Sequence, residues 1–462
     1  MSQSASLQVH TDLKQLAADV VAKARKAGAT DAEAVVYEGD EFSALVRLGQ
    51  VETLKESGSR AVGLRVFLGQ RTASTSSSDF SAESIARLVD GAVALAKITS
   101  EDPFAGLPEV EEFGQLTGDL KLYFEDVNEQ PPAERIEMAR RCEAAAMAYD
   151  TRIQNSGGGD FDTATSHKIL VNSRGFVGEY RRSYCGFSAS PIAVDAKGGM
   201  QRNYWYSSSR TTKKLESPEE IGEEAARRTL QRLGARQVKT QKAPVVFSPE
   251  IARSIMGNIF SAAEGDAIYR NASFFAGMLG EQVAGSNITV VDDGTMVLDG
   301  IGGFGTAPFD AEGLPTRRTV LVERGILKNY VLNAYTARKL GMKSTGSAAR
   351  GLAENPGSGA HNYYLEPGTM TQEEILADVP SGLYVTEVMG FGVNLVTGDY
   401  SQGASGMWIE NGELAYPVEE ITIAGNLKDM YKNIVAIGND LVFRGASAAP
   451  TIRVEGMMIA GS

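Results

Sequence analysis

The amino-acid sequence predicts an α+β protein, in which an N-terminal domain of helices and an antiparallel meander precedes a glycine-rich, mostly β C-terminal domain. Three observations indicate this class. Apolar residues at helical spacing flank runs of short, alternating segments. The order of helix, meander and helix occurs twice before residue 235, which suggests an internal duplication. Thirty of the 50 glycines then fall within residues 243–462, among short β-rich runs.

The first unit begins with a predicted amphipathic helix over residues 12–27, which Thr11 is placed to cap and Gly28 to end. Glycine-containing pairs then separate extended segments, as in consecutive hairpins. The predicted segments are 34–37, 42–48, 51–55, 61–68 and 72–76, with turns at 39–40, 49–50, 58–59 and 69–70. A second helix follows, with its apolar stripe between Ile85 and Ala96.

The same order is predicted again beyond residue 130. A helix near 132–148 precedes extended segments over 151–211, with a glycine break at 157–159 and a turn at 172–175, and a helix near 218–232 closes the unit. The short, polar and basic segment 234–242 is predicted to be a linker between domains 1–235 and 243–462. The clearest helix of the second domain spans 249–263, with Pro249 in its first turn.

Composition and charge exclude several classes of function. The 462 residues carry 45 Lys plus Arg against 58 Asp plus Glu, a formal net charge of −13, so nucleic acid and anionic membranes are not expected partners. Cys142 and Cys185 form no CxxC motif and fit a reducing cytoplasm. No signal-peptide pattern is present, and no apolar run approaches the ~18 residues of a spanning helix. His10, His167 and His361 are the only imidazoles.

Motifs that suggest common catalytic sites have simpler interpretations. The glycine-rich run at 299–305 lacks the flanking elements and the GK[ST] ending of a phosphate loop, so a flexible loop is favoured. The sequence DDG at 292–294 is interpreted as a hairpin turn rather than a cation site. No GxSxG motif occurs, and Cys185 and His167 lie on adjacent predicted strands, where they share at most a sheet face.

The segment 350–364 is a local candidate for a ligand contact. Arg350 begins a Gly/Pro loop that delivers His361 and Asn362 to the start of a predicted strand. Long loops of this kind are often functional, and a strand edge can receive an extended peptide. The alternative is a structural loop in which His361 satisfies nearby backbone groups, and the residues alone leave both interpretations open.

Several longer motifs resemble those of a known family, the PmbA/TldD peptidases, also called modulators of DNA gyrase. They are GEQV at 280–283, TVVDDGT at 289–295, PFDAEG at 308–313, STG at 344–346, TEVMG at 386–390, TGDYS at 397–401 and IAGNLKDM at 423–430. The resemblance covers essentially the whole chain and is strongest after residue 243.

The resemblance implies two branches that pair as a heterodimer. TldD-type subunits hold zinc through HExxxH on a helix and a later cysteine, whereas PmbA/TldE-type subunits lack these ligands. With residues 264–266 and 280–281 as register marks, Met256 and Ser261 take the two histidine positions and Gly257 that of the glutamate. The stretch 444–450 contains no cysteine. These side chains are poor zinc ligands and include no base.

The resemblance therefore implies the zinc-free subunit of a heterodimeric TldD/TldE-type metallopeptidase, which acts in the cytoplasm on unfolded peptides or peptide precursors. Such a chain has no catalytic or metal-binding residue of its own and needs a TldD-type partner to supply the zinc, although it can form a homodimer alone. Two alternatives are an autonomous hydrolase homodimer with an atypical site at His361, and a non-enzymatic peptide-binding protein. The candidate contacts to substrate or partner are Arg350, His361, Asn362, Asp399 and Ser401.

Overall fold

The computed structural model describes residues 12–462. The elements of the N-terminal part are α1 (Leu13–Lys26), β1 (Asp31–Arg47), β2 (Gln50–Leu68), β3 (Arg71–Ser77), α2 (Ala82–Ile98), α3 (Asp126–Glu129), α4 (Pro132–Ala148), β4 (Ile153–Asn172), β5 (Val177–Val194), β6 (Met200–Arg202), β7 (Trp205–Ser209) and α5 (Pro218–Leu230). Short 3-10 turns occur at Val110–Glu112 and Thr212–Lys214.

Within residues 12–462, these seven strands form one antiparallel sheet in the order β3-β2-β1-β4-β5-β6, with β7 also paired to β5. The order helix, meander, helix is thus present twice, and the two meanders are joined by the pairing of β1 with β4. This central pairing extends from Glu33 opposite Asn172 to Val46 opposite Gly159. The two units therefore share a single sheet.

Alternate residues of the sheet face two different neighbours. Ala34 and Val36 of β1 pack with α1 and α2, and Phe161 of β4 packs with α4 and α5. Val35 points the opposite way and joins a cluster with Phe309 of the C-terminal part. Because successive strand residues alternate between faces, helices cover one face of the sheet and the C-terminal domain covers the other.

The predicted cap of the first helix was wrong. Thr11 lies outside the described residues, and α1 is capped by Asp12, whose carboxylate accepts the backbone N–H groups of Lys14 and Gln15. Two adjacent residues able to cap a helix cannot be ranked from sequence alone, since the one whose backbone is extended at the junction takes the role.

Two of the predicted turns in the first meander were also wrong. The pairs 39–40 and 58–59 lie opposite each other inside β1 and β2, which continue as long strands. A side chain at Gly39 would collide with the carbonyl of Thr165, so this glycine allows close approach of neighbouring strands rather than chain reversal. The glycine break at 157–159 is a bulge within β4, where the register shifts.

The C-terminal part continues this order with many short strands. Its elements are β8 (Gln241–Phe247), α6 (Pro249–Ala263), α7 (Gly265–Tyr269), β9 (Val290–Asp293), β10 (Val297–Leu298), β11 (Ile301–Gly302), β12 (Arg318–Glu323), β13 (Ile326–Leu327), α8 (Ala334–Leu340), β14 (Ala348–Ala349), β15 (Gly357–Ser358), β16 (Asn362–Leu365), α9 (Gln372–Ala377), β17 (Ser381–Met389), β18 (Asp399–Glu410), β19 (Glu413–Asn426), α10 (Leu427–Lys432), β20 (Ile434–Ile437), β21 (Ser447–Ala448) and β22 (Ile452–Ala460).

Two main sheets of this domain enclose a shared apolar core. One has the order β19-β18-β17-β8-β22-β20, and the pairing of β19 with β22 closes its first five strands into a ring. The other has the order β13-β12-β9-β16-β21. Helix α6, which has the predicted bounds, contacts strands of both sheets and lies in the common core.

The predicted linker, 234–242, runs along the C-terminal domain. Arg236 forms a bridge with Val418 of β19, and the chain enters β8 at Gln241. Among the helices of residues 12–462, none combines the length and the apolarity needed to cross a membrane.

Candidate functional site

Helix α6 carries the positions that the family resemblance assigns to a zinc motif. Met256 is fully buried in the apolar core, and its backbone carbonyl accepts the hydroxyl of Tyr363 from β16. Gly257 has no side chain, and a Cβ at this position would meet open space. Ser261 is partly buried on the same helix. A buried thioether, a hydroxyl and an absent side chain do not fit a zinc ion with its catalytic base.

The segment that would carry the cysteine lies beside this helix. Strand β21 pairs in parallel with β16 and contacts α6. Arg444, just before it, forms an ion pair with Glu216 of the N-terminal domain, so the segment also links the two domains. Within residues 12–462, no group of three or more His, Cys, Asp or Glu side chains is arranged to hold a metal ion.

A cleft of about 300 Å³ opens between the two domains. One wall is the face of the N-terminal sheet that meets the C-terminal domain, where Lys168 of β4 stands opposite Tyr180 of β5 and Arg182 follows on the same face. The other wall belongs to the C-terminal domain. It is formed by Phe304, Gly305, Ala307, Phe309, Asp310, Ala311, Ala348, Ala349, Arg350, Gly359, Ala360, His361 and Ala446.

His361 lines this cleft and is paired with a buried carboxylate. Its Nδ1 lies 3.0 Å from Oδ2 of Asp292, and its backbone N–H donates to Oδ1 of the same residue at 2.7 Å. Because a carboxylate only accepts hydrogen bonds, Nδ1 carries the proton in the neutral ring and Nε2 is left as an acceptor. The ring nitrogen that remains available to accept a hydrogen bond from a ligand is therefore Nε2.

The hairpin turn predicted at 292–294 was wrong. Asp292 and Asp293 end strand β9, which lies between β12 and β16. Two aspartates before a glycine are typical of a turn, but here the carboxylate of Asp292 is satisfied by His361, which lies 69 residues further along the chain. The sequence gives no indication of that pairing.

The side chain of Asn362 is buried and makes hydrogen bonds to neighbouring segments of the C-terminal domain. It is fully buried, donates to the carbonyl of Asp293 and the hydroxyl of Thr306, and accepts the N–H of Gly305. Its amide thereby fixes the glycine-rich segment 299–305 against β16. Hydrogen bonds from Arg210 also hold this segment in place. The Arg210 guanidinium donates to the carbonyls of Gly302, Gly303 and Phe304.

Arg350 belongs to a buried cluster of charges that joins the domains. Its side chain is 2% exposed and its Nη2 lies 3.1 Å from Oε1 of Glu33 on β1. The same oxygen accepts from Nε of Arg65 on β2 at 2.6 Å, and Nη2 of Arg65 lies 3.7 Å from Glu312. Burial lowers the pKa of Arg350, although the charge of Glu33 opposes this shift. Burial also raises the pKa of Glu312.

Two of the predicted contact residues lie elsewhere. Asp399 and Ser401 are exposed at the start of β18, where Asp399 accepts from Thr397 and Asn426. These hydrogen bonds hold the pKa of the Asp399 carboxyl below its ordinary value. The structure thus brings Arg350 and His361 to the interdomain cleft, places Asn362 behind its wall, and does not bring Asp399 or Ser401 to it.

The basic residues on the sheet side of the cleft were missed. Arg182 lies two residues after Tyr180 on β5, and Lys168 lies on β4. The period of two could have placed Tyr180 and Arg182 on one sheet face, but only the register of β4 with β5 adds Lys168 to them. The period could not have shown that this face meets the C-terminal domain.

Comparisons with known proteins agree with this fold along the whole chain. Models of the PmbA/TldA metallopeptidase family match as domain 1 over residues 32–96, as the central domain over 125–233 and as the C-terminal domain over 240–461. The chain is 39% identical over 430 residues to metalloprotease PmbA of Escherichia coli O157:H7, covering 93% of this chain and 92% of that protein.

Two further likenesses are as extensive. The metalloprotease PmbA homolog of Haemophilus influenzae is 36% identical over 453 residues, covering 98% of this chain and 96% of the relative. A crystal structure of a candidate modulator of DNA gyrase from Bacteroides thetaiotaomicron superposes with a TM-score of 0.90 at 27% identity, covering 98% of this chain and all of that one. Fold and sequence together define a protein of a metallopeptidase class. The chain belongs to the PmbA/TldD family.

Proposed function

We propose that this chain is the zinc-free, PmbA/TldE-type subunit of a two-subunit metallopeptidase, in which a TldD-type partner supplies the zinc and the catalytic base. The observation that carries the proposal is the set of side chains on α6. Met256 is part of the apolar core and Gly257 has no side chain, so neither a ligand nor a base can be provided there. The names of two relatives support the branch, since the proteins that are 39% and 36% identical over more than 90% of the chain are called PmbA and PmbA homolog.

The substrate that fits this role is an unfolded peptide or a peptide precursor. The two-domain chain would complete an enclosure with its partner, and an enclosure admits extended chains while excluding folded domains. The net charge of −13 argues against nucleic acid as a partner. A reducing cytoplasmic setting is supported by Cys142 and Cys185, which are both free and buried.

Purification of the chain alone and together with a TldD-type subunit tests the proposal. Mass, bound zinc and cleavage of an unstructured peptide are measured for each sample. We expect zinc and cleavage in the mixture only, and no cleavage when the partner's own zinc-motif histidines are replaced by alanine. A disulfide-locked, folded version of the same peptide should resist cleavage.

The two alternatives give different results in this experiment. Stoichiometric zinc and peptidase activity in the single chain, lost on His361→Gln, would establish an autonomous hydrolase and refute the subunit assignment. Peptide binding without cleavage, and without complex formation with the TldD-type subunit, would establish a binding protein instead. A Gly257→Glu variant of the single chain serves as a control, because one carboxylate without ligands should leave it inactive.

A further inference from the structure

The interdomain cleft gathers positive charge without matching carboxylates. Among the described residues 12–462, no carboxylate oxygen lies within 4.0 Å of a side-chain nitrogen of Lys168, Arg182 or Arg210. Arg182 donates one hydrogen bond, to the carbonyl of Thr306, and its Nε is buried without a partner. The guanidinium of Arg210 donates its hydrogen bonds to backbone carbonyls. In a chain of net charge −13, two such cations that line the cleft, Lys168 and Arg182, with Arg210 held behind its wall at Phe304, need an explanation.

The acid that lines the cleft does not neutralise them. Asp310 accepts the backbone N–H groups of Glu312, Leu314 and Ala348 with its two oxygens, and neither oxygen lies within 4.0 Å of a side-chain nitrogen of Lys168 or Arg182. Burial raises the pKa of Asp310, in spite of these hydrogen bonds. Its carboxylate is thus hydrogen-bonded to the backbone of its own domain and is not paired with the cations.

Two neighbouring groups respond to the local positive potential. Burial by itself would raise the pKa of Tyr180, but the charges of Lys168, Arg182 and Arg210 bring that pKa below its ordinary value. Burial and the charge of Arg182 lower the pKa of Arg210 to about 9. Both shifts have the direction expected beside uncompensated cations.

A buried donor also lines this cleft. Arg350 is almost completely buried, and apart from its ion contact with Glu33 none of its three guanidinium nitrogens forms a hydrogen bond. A buried guanidinium whose Nε and Nη1 lack acceptors is costly, and an anionic ligand in the cleft would supply acceptors to it. Phe304, Phe309 and the ring of Tyr180 add apolar surface to the same walls.

We propose that the interdomain cleft is an oxyanion-binding site, in which Lys168 and Arg182 hold the carboxylate of an organic ligand and the aromatic rings contact its apolar part. A cavity of about 300 Å³ is at the lower end of the range for small-molecule sites, enough for one or two amino-acid residues that end in a carboxylate. The ligand touches both domains and so ties them together. The proposal is independent of the subunit role, because it concerns binding by the single chain.

Calorimetric titration of the full chain tests this site with three probes: N-acetyl-Ala-Phe with a free carboxylate, the same dipeptide as its C-terminal amide, and inorganic phosphate. We expect the acid to bind at least about tenfold more tightly than the amide, since a charge-assisted hydrogen bond is lost in the amide. Phosphate that displaces the acid would identify a general oxyanion site. Phosphate binding with no binding of the acid would assign the site to inorganic oxyanions. That result would overturn the proposal that the ligand is an organic carboxylate.

Variants locate the site. Arg182→Gln should weaken binding of the acid about tenfold or more, whereas Arg181→Gln should change it less than about twofold. Arg181 is the matched control because it directly precedes Arg182 in β5, faces the other side of the sheet and is half exposed. Melting temperatures are measured for each variant. If Arg182→Gln does not fold, Lys168→Met takes its place, with the same expectation.

Three results would overturn the proposal. The first is equal affinity for acid and amide. The second is equal weakening by Arg181→Gln and Arg182→Gln, and the third is the lack of binding by all three probes at millimolar concentration. Failure of this site would leave the zinc-free subunit role untouched, since that role is decided by zinc content and cleavage in the two-chain mixture.

Discussion

Replacing Glu33 with glutamine should break the charge cluster that joins the two domains. Glu33 is completely buried, and a single carboxylate oxygen contacts both Arg65 at 2.6 Å and Arg350 at 3.1 Å. Glutamine keeps the shape of the side chain and removes its charge. The variant therefore leaves two buried guanidinium groups with Glu312 as the nearest remaining acid, 3.7 Å from Arg65.

The expected cost follows from this geometry. Removing one member of a buried ion pair costs about 3–5 kcal/mol of unfolding free energy, and Glu33 serves two partners, which favours the upper part of that range. Glu312 compensates in part. Burial is the main cause that raises the pKa of Glu312, and the charge of Glu33 adds to it, so removal of that charge lets Glu312 ionise more readily and recovers part of the cost. We expect a net loss of about 3–4 kcal/mol.

Urea unfolding followed by tryptophan fluorescence measures this loss in each domain. The chain has two tryptophans, Trp205 in the N-terminal sheet and Trp408 in the C-terminal domain. Replacing either with phenylalanine leaves a probe in the other domain. In the Glu33→Gln background, both midpoints should fall and separate, because the joint between the domains is weakened.

A matched control and a double variant decide whether the reasoning holds. Glu52 pairs with Arg47 at 3.6 Å on the same hairpin, but both side chains are nearly half exposed, so Glu52→Gln should cost less than about 0.5 kcal/mol. Combining Glu33→Gln with Arg350→Met should cost less than the sum of the single changes by about 1–2 kcal/mol. A loss below about 1 kcal/mol for Glu33→Gln, or strict additivity in the pair, would refute a coupled buried network.

Three further changes test other parts of the structure. Burial raises the pKa of Asp160 to about 6. The folded state therefore keeps this proton to higher pH than the unfolded chain, and the free energy of unfolding falls as pH rises from about 4 to 6. Asp160→Asn should add about 1–2 kcal/mol to the free energy of unfolding at pH 7.5 and little at pH 4, as measured by urea unfolding. Gly63→Ala should cost about 2 kcal/mol or more, because its Cβ would collide with the backbone of Leu352 from the other domain. Burial raises the pKa of both Cys142 and Cys185, so a thiol reagent should label neither in the native protein and both in denaturant.

Each of these has a result that would contradict it. Equal stabilisation by Asp160→Asn at both pH values would mean that charge is not the cause. Gly91→Ala in α2, where a Cβ meets open space, should be neutral or stabilising by up to about 1 kcal/mol; a Gly63→Ala that behaves in the same way would disprove the tight domain contact. Rapid labelling of either thiol in the native state would show that its site opens readily.

The sequence predicted the local elements better than their pairing. Helix α6 has the predicted bounds because its apolar residues recur at helical spacing after a proline in the first turn. The sequence predicts turns at 39–40 and 58–59 because glycine marks both turns and close strand contacts, and only the register of β1 with β2 distinguishes the two. A local pattern cannot show what a glycine faces across the sheet.

Two of the residues proposed from the sequence as contacts line the interdomain cleft, and their role as contacts stays a prediction. The loop at 350–364 delivers both Arg350 and His361 to the interdomain cleft. Their counterparts Glu33 and Asp292 could not be identified, because they are distant in sequence and come together only through the docking of two domains. The assignment of Met256, Gly257 and Ser261 to lost zinc positions depends on the family resemblance and stays a prediction that the two-chain experiment tests.

The pairing of distant strands sets the order in which this chain can fold as it leaves the ribosome. Strand β1 pairs with β4, and Glu33 lies opposite Asn172, so the N-terminal sheet cannot close until more than a third of the chain has emerged. Strand β8 is flanked on one side by β22, and Phe247 pairs with Ile452. The C-terminal ring therefore closes only when synthesis is almost complete, and until then a finished N-terminal sheet exposes the apolar face on which Phe309 later packs. Slow, non-local closure of this kind leaves that apolar face open to aggregation during synthesis.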